Sequence, residues 1–166
     1  LRVFRLTDES EVNSLALGEF FASNVTPSYI SHGEVSCGRA RSLTEWVPNL
    51  EEVVALEVRD ALTQEKETKQ VWVALEEERI VGLSIVSFQS GEIATFEDMV
   101  VQREGRSRGY GEEFFRTILS LMKQERPELR VGLCESGLHN EGAHQFIERI
   151  GFVPISKVFL FQFSGD

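Results

Sequence analysis

Apolar positions along this chain alternate in some stretches and recur every three or four residues in others, and the switches between the two mark its elements. Residues 2–6 alternate and predict a first strand. Thr7-Asp8-Glu9-Ser10 is a cluster of capping residues, and Val12, Leu15, Ala16, Phe20 and Phe21 follow at helical spacing. From Asn24 to Pro48 the pattern breaks into Pro, Gly, Ser and other polar residues, with Tyr29, His32, Cys37, Arg39, Arg41 and Trp46 scattered through it. Asn49 is placed to cap a second helix from Leu50 to about Leu62, with an apolar face of Leu50, Val53, Val54, Val58, Ala61 and Leu62.

The second half is more regular. Residues 70–75 and 80–88 are apolar runs joined by Glu76-Glu77-Glu78-Arg79, which predicts a hairpin. Gln89-Ser90-Gly91 turns into a further strand from Glu92 to Val101. A helix follows from Gly109 and ends near Arg126-Pro127, where proline blocks continuation. Leu129 to Cys134 reads as a strand, Asn140 to Ile150 as a short helix closed by Gly151, and Phe152 to Phe163 as strand-like with a break near Ser156. The order implies a single α+β domain over residues 1–166: a mixed, largely antiparallel sheet with helices on both faces.

Composition narrows the functional classes. With 166 residues, 42% hydrophobic and 27% charged, the chain has the makings of one ordinary globular core. No run approaches the ~18 apolar residues of a membrane span. Leu1 in place of an initiator Met implies residues ahead of it, and no basic-then-apolar leader is visible. Cys37 and Cys134, without a CxxC spacing, are expected as free buried thiols in the reducing cytoplasm. A net charge of −10 argues against nucleic acid as a partner and suits a cationic amine, or simply a solvated acidic surface. Nothing in the spacing of His, Cys, Asp or Glu suggests a metal site.

The most informative stretch is Arg106-Ser107-Arg108-Gly109-Tyr110-Gly111, between the strand ending at Val101 and the next helix. A helix start has backbone N–H groups without partners and a partial positive charge, two glycines allow close approach, and arginines match phosphate oxygens. The segment therefore reads as a diphosphate cradle. It is no dinucleotide turn, since Phe114 stands where the third glycine belongs, and no P-loop, since Gly-Lys-Ser/Thr is missing. The pattern Arg/Gln-x-x-Gly-x-Gly/Ala, with Glu97 to Val101 before it, resembles the acetyl-CoA motif of the GNAT superfamily of N-acetyltransferases. Asn140, Ala143, Phe146, Glu148, Arg149, Gly151 and Phe152 resemble that family's second conserved block. The resemblance is clear from about Val71 to Phe159.

The resemblance implies acetyl-CoA as cosubstrate and a primary amine of a small molecule or peptide as acceptor. It also implies strands splayed apart near Val101 and Glu135. The pantetheine arm would pair with the backbone of Met99, Val100 and Val101, and the pyrophosphate would lie on Arg106, Ser107, Arg108, Gly109, Tyr110 and Gly111. Asn140 and Phe146 would flank the cofactor, Asn140 also capping its helix. Glu97 and Asp98 are the candidate catalytic carboxylates, set by strand alternation on opposite faces, with Glu97 the base through a water. An unperturbed carboxylate of pKa ~4.3 is a weak base, so burial or a like charge would have to raise it. The family's acid, a tyrosine, is here Ile147. Cys134 reads as core, and His144 as solvent-facing. The stretch from Tyr29 to Trp46 would form one wall of the acceptor pocket. Alternatives are a domain that binds acyl-CoA without transferring it, transfer of a longer acyl group, and a hydroxyl acceptor. A homodimer is compatible with all of these.

Overall fold

The computed structural model describes residues 1–161 and Phe163. Five strands form one sheet in the order β1 (Arg2–Leu6), β4 (Lys69–Glu76), β5 (Arg79–Ser90), β6 (Ile93–Val101) and β7 (Val131–Cys134). The first four run antiparallel to their neighbours, and β7 joins β6 in parallel. A small separate hairpin, β2 (Ala40–Ser42) and β3 (Glu45–Trp46), lies in the segment between the first two long helices.

Helices cover both faces, as the sequence leads one to expect. On one face α1 (Ser14–Asn24) and α3 (Leu50–Leu62) bury Leu17, Phe20, Phe21, Val54 and Val58 against Val71, Val73, Leu83, Ile85 and Val100. On the other, α4 (Tyr110–Glu125) buries Phe114, Phe115, Ile118 and Met122 against Trp72, Val81, Val86, Phe96 and Val101. Each such side chain contributes roughly 1.5–3 kcal/mol on leaving water, so these two layers hold the sheet between them. Helix α5 (Glu141–Arg149) adds Phe146 to the second layer, where its ring lies 5.6 Å from that of Phe115.

Several expectations are corrected. The cluster Thr7–Ser10 does not open α1: Asp8 instead accepts from the Ser10 N–H at 2.9 Å in a local turn. Asn13 is the cap, accepting from Ala16 N–H at 2.8 Å, and Leu15 faces solvent. The irregular stretch from Asn24 to Pro48 holds a 3₁₀ turn (Pro27–Tyr29), the short helix α2 (His32–Ser36) with a capping box, and the β2–β3 hairpin. Phe152 to Phe163, expected as a strand, has no sheet partner among its described residues, and Gln162 lies outside them. Cys37 is exposed rather than buried. No described helix is long and apolar enough to cross a membrane.

The β4–β5 hairpin turns through Glu77 and Glu78, both at positive φ (47° and 68°). Two left-handed residues make the tight turn that matches strand twist, a conformation Asn-Gly adopts readily and glutamate does not. Replacing Glu77 by Asn and Glu78 by Gly should raise stability by about 1 kcal/mol, measured by urea unfolding. No gain would mean the two glutamates hold the turn by contacts that outweigh their backbone strain.

Candidate active site

The pairing of β6 with β7 covers only Ile93↔Val131 to Phe96↔Cys134. Beyond Phe96, β6 stays paired with β5 alone, from Asp98↔Ile85 to Val101↔Gly82. The far edge of its last residues is therefore open. Gln102 N–H donates to Val81 O at 2.9 Å, which fixes the phase of the antiparallel ladder. Residues 98 and 100 share that phase and turn their polar groups to β5, whereas Met99 and Val101 turn theirs to the open side. The Arg106 side chain reaching Val101 O at 3.3 Å from that side agrees with this phase.

A bulge sits just where the edge opens. Ile85 faces Asp98 while Val86 faces Phe96, leaving Glu97 as the extra residue. The parity of β6 is thereby reversed. Phe96 packs on the α4 face, but Asp98 meets Arg39 on the α1–α3 face, and Glu97 meets Lys69 (3.6 Å), whose strand neighbours Val71 and Val73 belong to the same layer. The expectation that Glu97 and Asp98 point to opposite faces is thus corrected: the bulge turns both carboxylates toward α1 and α3.

Their environments differ. Asp98 is buried, and both its oxygens accept from Arg39, at 2.5 and 2.9 Å. Arg39, itself buried over the Phe21 ring, also donates to Glu57 of α3 at 2.7 Å from Nε. Burial opposes the Arg39 charge, yet Asp98 and Glu57 outweigh it and hold the guanidinium protonated well above its ordinary range. Burial also raises the Glu57 carboxyl, only partly offset by Arg39. Glu97 by contrast is partly exposed and lines a cleft.

That cleft runs through the gap between β6 and β7. Phe96 to Val100 form its floor, Glu135 and Ser136 follow the end of β7, and Asn140, Ala143 and Ile147 of the α5 segment close one side. Phe21, Tyr29, Glu34 and Trp46 close the other. The two sides meet at its mouth. Ser31 Oγ and His32 Nδ1 reach Glu135 at 3.4 and 2.5 Å, and a Cβ on Gly137 would lie 2.5 Å from Ser28 O. Four carboxylates, Glu34, Glu97, Asp98 and Glu135, line the cleft, and none of its described lining residues is a lysine or arginine.

The Gly-rich turn lies at the end of the open edge. Arg103–Arg108 form a 3₁₀ turn, Gly109 is left-handed (φ 78°), and α4 starts at Tyr110. A side chain at 109 would be strained at that φ, although the space around it is open. A Cβ on Gly111 would press on the Phe146 ring at 3.3 Å, so this glycine admits Phe146 to the core. Arg106 is not a free phosphate ligand: it donates to Asn24 O at 2.9 Å and to Val101 O, and it lies over the Tyr29 ring. Tyr110 donates its hydroxyl to Glu76, which lowers that carboxyl. The same Tyr110–Glu76 pair holds the Arg108 charge up. Asn140 caps α5 through Ala143 N–H (3.4 Å) and also lines the cleft. His144, expected to face solvent, is half-buried with Nε2 2.9 Å from Gly137 O. Burial pushes the Cys134 thiol up to about 11, which leaves it protonated at neutral pH and unsuited to nucleophilic attack.

Sequence reasoning misses Arg39, Asn24, Glu34 and Glu135. Asn24 is buried at the end of α1; its side-chain oxygen accepts from Arg103 N–H at 3.0 Å and so tethers the Gly-rich turn. For Arg39 a signal existed: an aspartate inside an apolar strand needs a cation, and the irregular stretch before Pro48 supplies one.

Comparison with known proteins agrees with this fold. Residues 40–152 match the family model "Acetyltransferase (GNAT) family". No curated protein sequence matches the chain significantly. Solved structures of the same fold include the aminoglycoside 6'-N-acetyltransferase AAC(6')-IG from Acinetobacter haemolyticus, at TM-score 0.66 and 14% identity over 100% of both chains. Another is the aminoglycoside acetyltransferase meta-AAC0020 from an uncultured soil metagenomic sample, solved with sisomicin (TM-score 0.64, 15% identity, 99% of this chain and 96% of that one). A third is AAC(6')-Iy with the bisubstrate analog CoA-S-monomethyl-acetylneamine (TM-score 0.64, 10% identity, 97% and 96%). The fold is the mixed α+β fold of acyl-CoA N-acyltransferases. The chain belongs to the GNAT acetyltransferase family, whose members are N-acetyltransferases.

The buried ion network gives a stability prediction. Arg39→Met would strand Asp98 and Glu57 without their cation, a loss of about 3–5 kcal/mol in urea unfolding. The deficit relative to the unmutated chain should narrow as the pH falls toward the ordinary carboxylate range. Glu57, already raised by burial, binds its proton in the folded state first, and protonation favours that state there. A loss under about 1 kcal/mol at neutral pH would show that the network holds nothing in place.

Proposed function

We propose that the chain transfers an acetyl group from acetyl-CoA directly to a primary amine of a small, cationic acceptor. The observation that carries this reading is the open edge of Met99 and Val101, which leads into a cleft lined by Glu34, Glu97, Asp98 and Glu135 with no lysine or arginine among its described residues. The fold neighbours named above include acetyltransferases of aminoglycosides, and a polycationic amine of that class suits an acidic cleft. A peptide amine is the narrower alternative. The two unpaired cysteines fit work in the cytoplasm.

The residues present fit the cofactor. Met99 offers its backbone N–H and C=O and Val101 its N–H as an added strand would need them, and the left-handed Gly109 leaves the start of α4 uncovered. Bound acetyl-CoA would supply an activated acyl thioester. Met99 N–H would hold the thioester oxygen, with Asn140 and Phe146 flanking the arm. Ser107, Arg108, Tyr110 and Gly111 would offer backbone N–H groups to the diphosphate, while Arg106 holds the turn's shape from below. Val100 supports this edge through its side chain in the α1–α3 core.

Glu97 would take the amine proton, directly or through a water, because it faces the cleft beside the open edge. Asp98, with both oxygens on Arg39, acts instead by fixing the bulge that aims Glu97. Ile147 lines the cleft where the family carries its tyrosine, so the departing thiolate draws its proton from solvent. A free thiol of pKa ~8.5 needs little help with that step. Ile147 also leaves room for the second reading, a domain that binds acyl-CoA without transferring it.

The test combines binding and turnover. Gly109→Glu should abolish CoA binding by calorimetry while the domain stays folded, since the new carboxylate sits in the cradle. Glu97→Gln should keep CoA affinity and cut turnover ~10²–10⁴-fold, with the loss shrinking at high pH where the amine is already neutral. Turnover is read as thiol release across polyamines, aminoglycosides, amino acids and peptides. Unchanged CoA affinity in folded Gly109→Glu would refute the cradle. CoA binding with no thiol release from any amine would favour the binding domain.

A further inference from the structure

Two buried side-chain atoms, Trp46 Nε1 and Ser136 Oγ, find no hydrogen-bond partner among the described residues. Both residues line the cleft. Folded proteins leave few such groups unpaired, because each one costs stability. That both fall in one cleft marks it as a place where a bound molecule completes the bonding.

Their positions explain their burial. Trp46 ends β3 on the wall with Phe21, Tyr29 and Glu34, its ring edge-on to that of Phe21 at 6.0 Å. Ser136 lies between Glu135, which meets Ser31 and His32, and Gly137, where a Cβ would lie 2.5 Å from Ser28 O and 2.7 Å from Ile30 O. It therefore sits in the seam where the two walls touch. With the seam shut the cleft holds about 60 Å³, room for a few waters, whereas pockets for small molecules run to about 300–1,000 Å³. The His32–Glu135 pair across the seam joins half-exposed groups, and exposed pairs of this kind are weak. An entering acceptor can part them, and it then meets both unpaired atoms.

The chemistry of these atoms says what they take. An indole N–H only donates, so its partner must be an acceptor, and a serine hydroxyl can donate or accept. The ammonium groups of a plain polyamine offer only donors and leave Trp46 unpaired. A carboxylate offers oxygens, but it meets the like charges of Glu34, Glu97 and Glu135 in the same cleft. A neutral oxygen satisfies both atoms without that repulsion. We propose, on the reading that this cleft takes the amine acceptor, that Trp46 and Ser136 select acceptors carrying a neutral oxygen, hydroxyl or amide carbonyl, close to the amine. Plain polyamines and free amino acids are thereby disfavoured.

The experiment compares acceptors that share a 1,3-diamine skeleton: 1,3-diaminopropane, 1,3-diamino-2-propanol, 2,4-diaminobutanamide and 2,4-diaminobutanoate. Thiol release from acetyl-CoA is followed with the unmutated chain, Trp46→Phe and Ser136→Ala. For the unmutated chain, kcat/KM with the alcohol or the amide should exceed that with 1,3-diaminopropane by about 10–100-fold, the cost of leaving a buried donor unpaired. The carboxylate should be the poorest acceptor, and the alcohol and amide arms tell the two oxygens apart. In each variant the preference should fall toward one while CoA affinity by calorimetry holds. A merely structural loss would lower all four acceptors together and leave the preference intact. Should Trp46→Phe not fold, Ser136→Ala decides.

Equal kcat/KM for the alcohol, the amide and 1,3-diaminopropane in the unmutated chain would overturn the proposal. So would a preference that survives the substitutions, or a fall in CoA affinity with the preference intact, which would assign the two atoms to the cofactor. If no acceptor releases thiol, the transfer reading fails by itself, and calorimetric binding of the four compounds to the CoA-loaded chain decides. The same order of affinities, lost in the variants, would uphold the selection; no order, or no binding, would overturn it.

Discussion

Parallel pairing of β6 with β7 stops after Phe96 and Cys134, and the rest of the site depends on that early stop. A sheet edge inside a protein is costly unless its polar groups find partners. Here the last residues of β6 keep partners on the β5 side and expose a short ladder on the other. The gap is wide enough for a cleft that reaches both faces of the sheet, with α5 on one side and the α1–β3 segment on the other.

The bulge at Glu97 and the Arg39 network act together on this edge. Without the bulge, Asp98 would share the α4 face with Phe96 and be buried among aromatic rings without a cation. With it, Asp98 reaches Arg39, and Arg39 ties β6 to α3 through Glu57 and to the β2–β3 segment that carries it. A buried ion triad adds little net stability over an apolar core of the same shape. Its worth lies in geometry: it sets the register in which the wall bearing Trp46 and Glu34 stands against the strand bearing Glu97. Asn24 and Arg106 do the same for the Gly-rich turn, joining it to the end of α1.

The sequence made the second half legible because its elements follow one period each. The β4–β5 hairpin, the bounds of α3 and α4, and the Gly-rich turn between β6 and α4 all came from local pattern. The first helix began later than expected, because Asp8 satisfied its own turn and Asn13 did the capping. The bulge could not be read, since it depends on the register with β5 rather than on residues 97 and 98 themselves. Arg39 looked like one more polar residue in an irregular stretch; only its placement beside Asp98 gives it meaning. The stretch after Phe152, expected as a strand, has no sheet partner among the described residues.

The central claim is that Met99 and Val101 present an open backbone edge that receives the pantetheine arm. Amide hydrogen exchange, followed by NMR with and without acetyl-CoA, tests it residue by residue. The account predicts that the Met99 and Val101 amides exchange freely in the unliganded protein and slow markedly on binding. The Asp98 and Val100 amides, already bonded to β5, should be protected in both states. Bound acetyl-CoA with no added protection at Met99 and Val101 would contradict it.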